Sequence, residues 1–220
     1  MPQATIGVLG GTGQQGRGIA QRLARAGSTI VVGSRDPARA AAAVAEWPLD
    51  TRLIPVADYG KAIAESDIVI LTVPFESVDA ILDQHQQSFR MHALVVDVTV
   101  PLDFSGGIVK LSPVAEGSAA LHIRARLPTH ARLAVAFKTI PARVLNEIDR
   151  PLDCDEFVCG DSPEVRSEAS ALVETMEGLR AVDLGSLTRA RTIEHFTLAA
   201  IAINRLHKVH GARFRVVGIS

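Results

Sequence analysis

The residues best suited to chemistry lie early in the chain, in Gly11-Thr12-Gly13-Gln14-Gln15-Gly16, with Gly10 just before them and Ser34-Arg35 following about twenty positions later. Glycines at this spacing let a chain turn tightly and bring backbone N–H groups close to phosphate oxygens. Apolar Ile6, Val8 and Leu9 precede the turn, and the helix-like run Ile19 to Ala26 follows it. Strand, glycine turn and helix is the order of a dinucleotide-binding unit. One glycine allows the turn, the next admits a pyrophosphate, and the third lets helix and strand pack closely. The helix N-terminus adds free N–H groups and the positive end of a dipole.

The second strand, Thr29-Ile30-Val31-Val32-Gly33, decides which dinucleotide is expected. NAD-binding folds place an acid near its end to accept from the ribose hydroxyls, whereas a hydroxyl and a guanidinium favour the 2′-phosphate of NADP. This chain has Ser34 and Arg35 there, with Arg39 four residues on. If Pro37 opens the next helix, Arg39 sits in its first turn and reaches the same phosphate. Asp36 is the competing acid, but Asp36-Pro37 also reads as a helix cap followed by a first helical proline. The plainer alternative makes Arg35 and Arg39 a solvated charged face. The expectation is an NADP(H) site.

The elements that must position these residues alternate strand and helix. Buried strands are expected at Asp67–Val73, Ala93–Asp97 and Leu133–Phe137, and an edge strand at Leu53–Val56. Helices are expected at Pro37–Trp47, Tyr59–Glu65, Phe75–Gln86 and Gly117–Arg126. This predicts an α/β Rossmann fold with a doubly wound, mostly parallel sheet and right-handed crossovers. After about residue 140 the pattern changes to short strands at Phe157–Cys159 and Ala181–Leu184, a helix over Pro163–Glu177 and a last helix over Leu187–Val209. We therefore divide the chain into a dinucleotide-binding domain, 1–140, and a small C-terminal α/β domain, 141–220. The last helix is apolar nearly all round at Phe196–Ile203, which predicts burial in a domain contact or a dimer interface. Thr99–Gly117 reads as a long loop.

Composition narrows the function. The chain has 220 residues, 47% of them hydrophobic, with a formal net charge of -1. That balance gives no reason to expect nucleic acid or an anionic membrane as partner. No apolar run spans a bilayer, and Met1-Pro2-Gln3 lacks the start of a signal peptide, so a cytoplasmic protein is expected. Cys154 and Cys159 are too few for a zinc site and are read as buried or idle thiols.

Ligands of open α/β sheets bind beyond the carboxyl ends of the strands. Val73-Pro74-Phe75 and Thr99-Val100-Pro101 should line a nicotinamide, and Lys138-Thr139-Ile140-Pro141-Ala142 should face a second substrate. No histidine has a carboxylate partner that sequence can place; His122, His130 and His195 are left without a role. With no evident proton donor and no metal-ligand spacing, the chemistry suits hydride transfer to a flavin-like ring. The protein then aligns two cofactors and excludes water, and no catalytic side chain is assigned.

Ile6 to Gly18 with Val31-Val32-Gly33-Ser34-Arg35 resembles the NADPH-dependent reductases of coenzyme F420, a deazaflavin. Ile70–Glu76, Lys138–Ala142, Phe157–Asp161, Gly178–Gly185 and Arg189–Glu194 extend the resemblance over nearly the whole chain. It implies a homodimer with the deazaflavin between the two parts of the chain. It further implies pyrophosphate and ribose contacts from Thr12 to Gln15, and 2′-phosphate contacts from Ser34, Arg35 and Arg39. Val73, Val100 and Ala142 would lie near the nicotinamide, and Lys138 and Ile140 would contact the deazaflavin. Lys138 departs from the histidine of that family. The alternatives are a reductase of imines, carbonyls or ferric chelates on the same scaffold, or a non-enzymatic NADP sensor.

Overall fold

The computed structural model describes residues 4–219; Met1 to Gln3, read above for targeting features, lie outside them. The β-branched runs become strands β1 (Thr5–Leu9), β2 (Thr29–Gly33), β4 (Ile68–Leu71), β5 (Leu94–Asp97) and β8 (Arg132–Val135). The edge strand is shorter than expected. Thr51–Leu53 forms a single 3-10 turn, and β3 covers only Val56–Ala57. The expected loop contains a small antiparallel hairpin of β6 (Leu102–Asp103) and β7 (Lys110–Leu111). β9 (Cys154–Gly160) and β10 (Leu179–Ser186) complete one eight-stranded sheet of order β10-β9-β8-β5-β4-β1-β2-β3.

All neighbours in that sheet run parallel except β8 and β9, which pair antiparallel through Ala134↔Gly160 and Val135↔Cys159. The boundary drawn at residue 140 thus falls inside one continuous sheet rather than between two. Beyond it, β9, the helix α7 (Pro163–Glu174) and β10 form a parallel unit turned against the rest.

Alternation along the buried strands feeds two cores, as a sheet covered on both faces requires. Ile6, Val8, Ile68, Ile70, Leu94 and Val96 face one layer, whereas Leu9, Val69, Leu71 and Val95 face the other. The first layer takes Ile19 and Leu23 of α1 (Gln14–Arg25), Val44 of α2 (Pro37–Ala45), Leu145 of α6 (Ala142–Asn146) and Leu172 of α7. The second takes Ile63 of α3 (Tyr59–Ala64), Leu82 of α4 (Val78–His85), Ile123 of α5 (Ala119–Arg126) and Ile193 of α8 (Ala190–His207). Asp36 caps α2 by accepting from the Arg39 N–H at 3.0 Å, with Pro37 first in the helix. In α8 the buried residues are Ala190, Ile193, Glu194 and Ala200. Ile203 and Leu206 are exposed in the single chain; Ile203 ends the stretch expected to be buried in a domain contact or a dimer interface.

Candidate functional site

The glycine turn crosses the sheet where the strand order reverses, between β1 and β4. Gly10 sits at φ 79°, a conformation glycine adopts without strain. Gly16 is set by close approach. A Cβ there would stand 2.3 Å from Thr72 Oγ1 and 2.6 Å from Gly10 O. Thr72 is held in turn, its hydroxyl donating to Leu9 O at 2.7 Å. Helix α1 begins just after Gly13 with no side-chain cap, so its first N–H groups face the turn.

Thr12, Gly13, Ser34, Arg35, Tyr59 and Ser77 are among the residues lining a recess of about 240 Å³ beside this turn. Ser34 is drawn into a tight turn, donating to Asp36 O at 3.1 Å and accepting from Asp36 N at 3.2 Å. Burial raises the Tyr59 phenol above its ordinary pKa, while the charge and hydrogen bond of Arg35 pull it the other way. Arg39 stands exposed in the first turn of α2, outside the recess lining.

On the other side of the turn lies a wider cleft of about 490 Å³. Gly13, Gln14, Val73, Pro74, Phe75, Val100, Ile140 and Ala142 line it, together with Val98 and Ile201. Pro101 does not line it; it is buried, and its carbonyl accepts from Ser112 N at 2.7 Å. Gly11 is buried behind the turn, its N–H donating to Val8 O.

Two residues are placed differently from the sequence reading. Gln15 was expected on the pyrophosphate. Its side-chain amide instead donates to Phe137 O at 2.9 Å and Ile140 O at 3.1 Å, tying the glycine turn to the opposite wall. Lys138 was expected to contact the deazaflavin. Its side chain is 0% exposed, and its ammonium binds Asp97 Oδ2 at 2.6 Å and the Thr99 carbonyl, with Glu194 Oε1 at 3.8 Å. Lys138 therefore meets the cleft only through its main chain.

The network beneath the wall was invisible in the sequence. Asp97 Oδ1 accepts from both the N–H and the hydroxyl of Thr99. Glu156 on β9 accepts from the Lys138 and Thr139 N–H groups and from the Thr139 hydroxyl at 2.7 Å. Burial pushes the Glu156 carboxyl up to about 7, and those three hydrogen bonds restrain the rise. Phe137, at φ 59°, turns the chain between β8 and this anchor. The positive charge needed here carries no local motif, because its partners lie tens of residues away on β5 and α8.

None of the three singled-out histidines lines the cleft. The imidazole of His122 lies between Asp79 Oδ1 (2.7 Å) and Glu116 Oε2 (2.9 Å), against the Phe75 ring. His130 bonds Phe89 O, and His195 bonds Arg191 O. Cys154 and Cys159 are free and buried, as read, and burial drives both thiols up to about 12. Among the described residues no group of three metal-ligating side chains could hold an ion. Lys138 is thus the one titratable residue in the cleft lining, and its charge is turned away.

Comparison with known proteins gives this geometry a family. The family model described as "NADP oxidoreductase coenzyme F420-dependent" matches residues 5–101. The F420-dependent NADP reductase of Methanothermobacter marburgensis is 36% identical over 97% of this chain and 98% of its own length. That of Methanocaldococcus jannaschii is 33% identical, over 97% and 98% respectively. A crystal structure from Arthrobacter sp. FB24, described as a "putative f420 dependent nadp-reductase", superposes with a TM-score of 0.80 at 26% identity, covering 97% of this chain and 99% of that one. With full-length matches above 30% identity, this chain belongs to the family of F420-dependent NADP reductases.

Proposed function

We propose that this protein transfers a hydride between NADP(H) and the deazaflavin coenzyme F420. The observation that carries the reading is the cleft itself: an apolar slot against the glycine turn whose lining presents no acid or base. When bound, the nicotinamide and the deazaflavin supply the redox chemistry, and water supplies or takes the accompanying proton. The residues fit that division of labour. The tight approach at Gly16 and the uncapped start of α1 suit a pyrophosphate, and Ser34 and Arg35 suit a 2′-phosphate. Arg39, free in solvent nearby, supplements their charge.

Val73, Pro74, Val100, Ile140 and Ala142 keep water from the space between the two rings. Lys138, Asp97 and Glu156 fix the walls from behind. Gln15 joins them, so the loop that holds one cofactor also holds the wall that faces the other. We assign residues 141–220 the closing side of this cleft. The exposed Phe104, Ile108, Ile203 and Leu206 support a homodimer with a second copy covering them. Among the described residues no helix is long and apolar enough to cross a membrane, and two free buried thiols accord with a cytoplasmic enzyme.

Mixing the protein with NADPH and F420 should bleach the deazaflavin absorbance catalytically. No change with that pair, combined with turnover of an imine, a carbonyl or a ferric chelate, would overturn the assignment. Gln15→Leu should lower kcat roughly tenfold while NADPH affinity changes by no more than about twofold, because small misplacements of aligned reactants are costly. A Kd for NADPH that rises as much as kcat falls would return Gln15 to simple phosphate binding.

A further inference from the structure

A second recess, of about 360 Å³, opens beside the cleft and shares Gln14 and Ala142 with it. Its other walls are Thr12, Arg17, Arg143 and Asn146. The recess is built where α1 meets α6. Gly18 allows that contact, since a Cβ there would stand 2.5 Å from Leu145 Cβ. Asn146 locks it, its amide donating to Gln14 O at 2.8 Å and Ala142 O at 2.7 Å. The two arginines are consequently carried on a fixed frame.

Their charges are largely uncommitted. Arg17 is exposed, and its guanidinium has no hydrogen-bond or ion-pair partner among the described residues. Arg143 has only a 3.6 Å contact with Glu147 one helical turn on, both side chains well exposed. Such a surface pair is weak and readily exchanged. The cations on the hairpin side of the cleft are occupied instead. Lys110 pairs with Asp103, and Arg205 donates to Gly107 O. The 2′-phosphate recess, with Ser34 and Arg35, lies on the far side of the glycine turn.

We propose that the Arg17–Arg143 recess binds the anionic tail of the deazaflavin substrate, a phosphodiester followed by carboxylates, where it leaves the cleft. This rests on the deazaflavin reading above. The dinucleotide's phosphates are accounted for by the glycine turn and by Ser34 and Arg35. The ring of the second substrate occupies the apolar cleft, and its chain of negative charges then meets the adjoining pair of exposed guanidiniums. Arginine suits this task because its planar fork takes phosphate and carboxylate oxygens in pairs.

The test compares the binding of three probes by equilibrium dialysis: F420, its deazariboflavin core lacking phosphate and glutamate, and NADPH. For the double variant Arg17→Gln/Arg143→Gln, Kd for F420 should rise roughly tenfold, a loss suited to two exposed ion pairs. The core and NADPH should bind as they do to the unaltered protein, and the two single variants should fall between. The preference of the unaltered protein for F420 over the core should also shrink as salt is raised. An unchanged Kd for F420, or a weakened NADPH in its place, overturns the tail site while leaving the deazaflavin reading standing. If the unaltered protein binds NADPH but neither F420 nor the core, the acceptor assignment itself fails, and the tail site with it.

Discussion

Lys138→Met should cost about 3–5 kcal/mol of folding stability, the typical penalty for stranding buried charges. Methionine keeps the length of the side chain but leaves Asp97 and Glu194, both 0% exposed, without the ammonium that lies between them. Part of the loss is softened because Asp97 still accepts two hydrogen bonds from Thr99, and Glu194 still accepts from Ala119 N at 2.8 Å and from Arg191 at 3.0 Å. Denaturant unfolding measures the change directly. Adding Asp97→Asn to the variant should recover a fraction of it, since the pair is coupled and the two losses do not add. A loss below about 1 kcal/mol would mean the network is far wetter than its burial indicates. The functional consequence follows from the Thr99 carbonyl, which the same ammonium holds beside Val98 and Val100 of the cleft wall.

Arg35→Asp should invert the choice of dinucleotide. The guanidinium stands in the recess beside Ser34 and Tyr59, at the end of β2. Replacing it removes a charge-assisted contact worth about 1.5–3 kcal/mol and sets a carboxylate against a phosphate. We expect kcat/KM for NADPH to fall roughly 100-fold, about 3 kcal/mol, with NADH becoming the better substrate. The new carboxylate is placed to accept from the ribose hydroxyls that NADH presents. Steady-state kinetics with both dinucleotides reads the ratio. An unchanged preference would contradict the account of the second strand and move the 2′-phosphate elsewhere, with Arg39 the nearest candidate.

These two sites differ in how far the sequence revealed them. The position of Arg35 beside the glycine turn was legible because it is local: it follows the end of a strand that comes at a fixed interval after that turn. The same holds for Gly16, whose absent side chain answers a contact with Gly10 and Thr72. The Asp36-Pro37 cap was readable for the same reason. Strand positions were readable because buried parallel strands are apolar throughout. The pairing of Lys138 was not legible because its partners are Asp97 and Glu194, brought to it by β5 and α8 and separated from it by long stretches of chain. A lone lysine at a strand end looks like a charge offered to a ligand until the fold supplies the acids around it.

Glu156 escaped notice for a related reason. Read along the chain it sits beside Asp155 in a polar start to a strand, whereas in the fold it is wholly buried under the Lys138–Thr139 turn. Gln15 lay within a recognised motif and was given the motif's ordinary role. Its bonds run to residues more than 120 positions away, which no local pattern encodes. The antiparallel join of β9 to β8 likewise follows from packing rather than from periodicity, and it is what brings Glu156 under the wall.

On the proposed function, hydride passes directly between two cofactors held face to face, and the chain contributes no relay between them. NADPH carrying deuterium at the transferred position of C4 tests this most directly. Reduced F420 should carry deuterium at C5 of its ring, with none released to water. Reduced F420 formed without the label, with the deuterium in solvent, would contradict it.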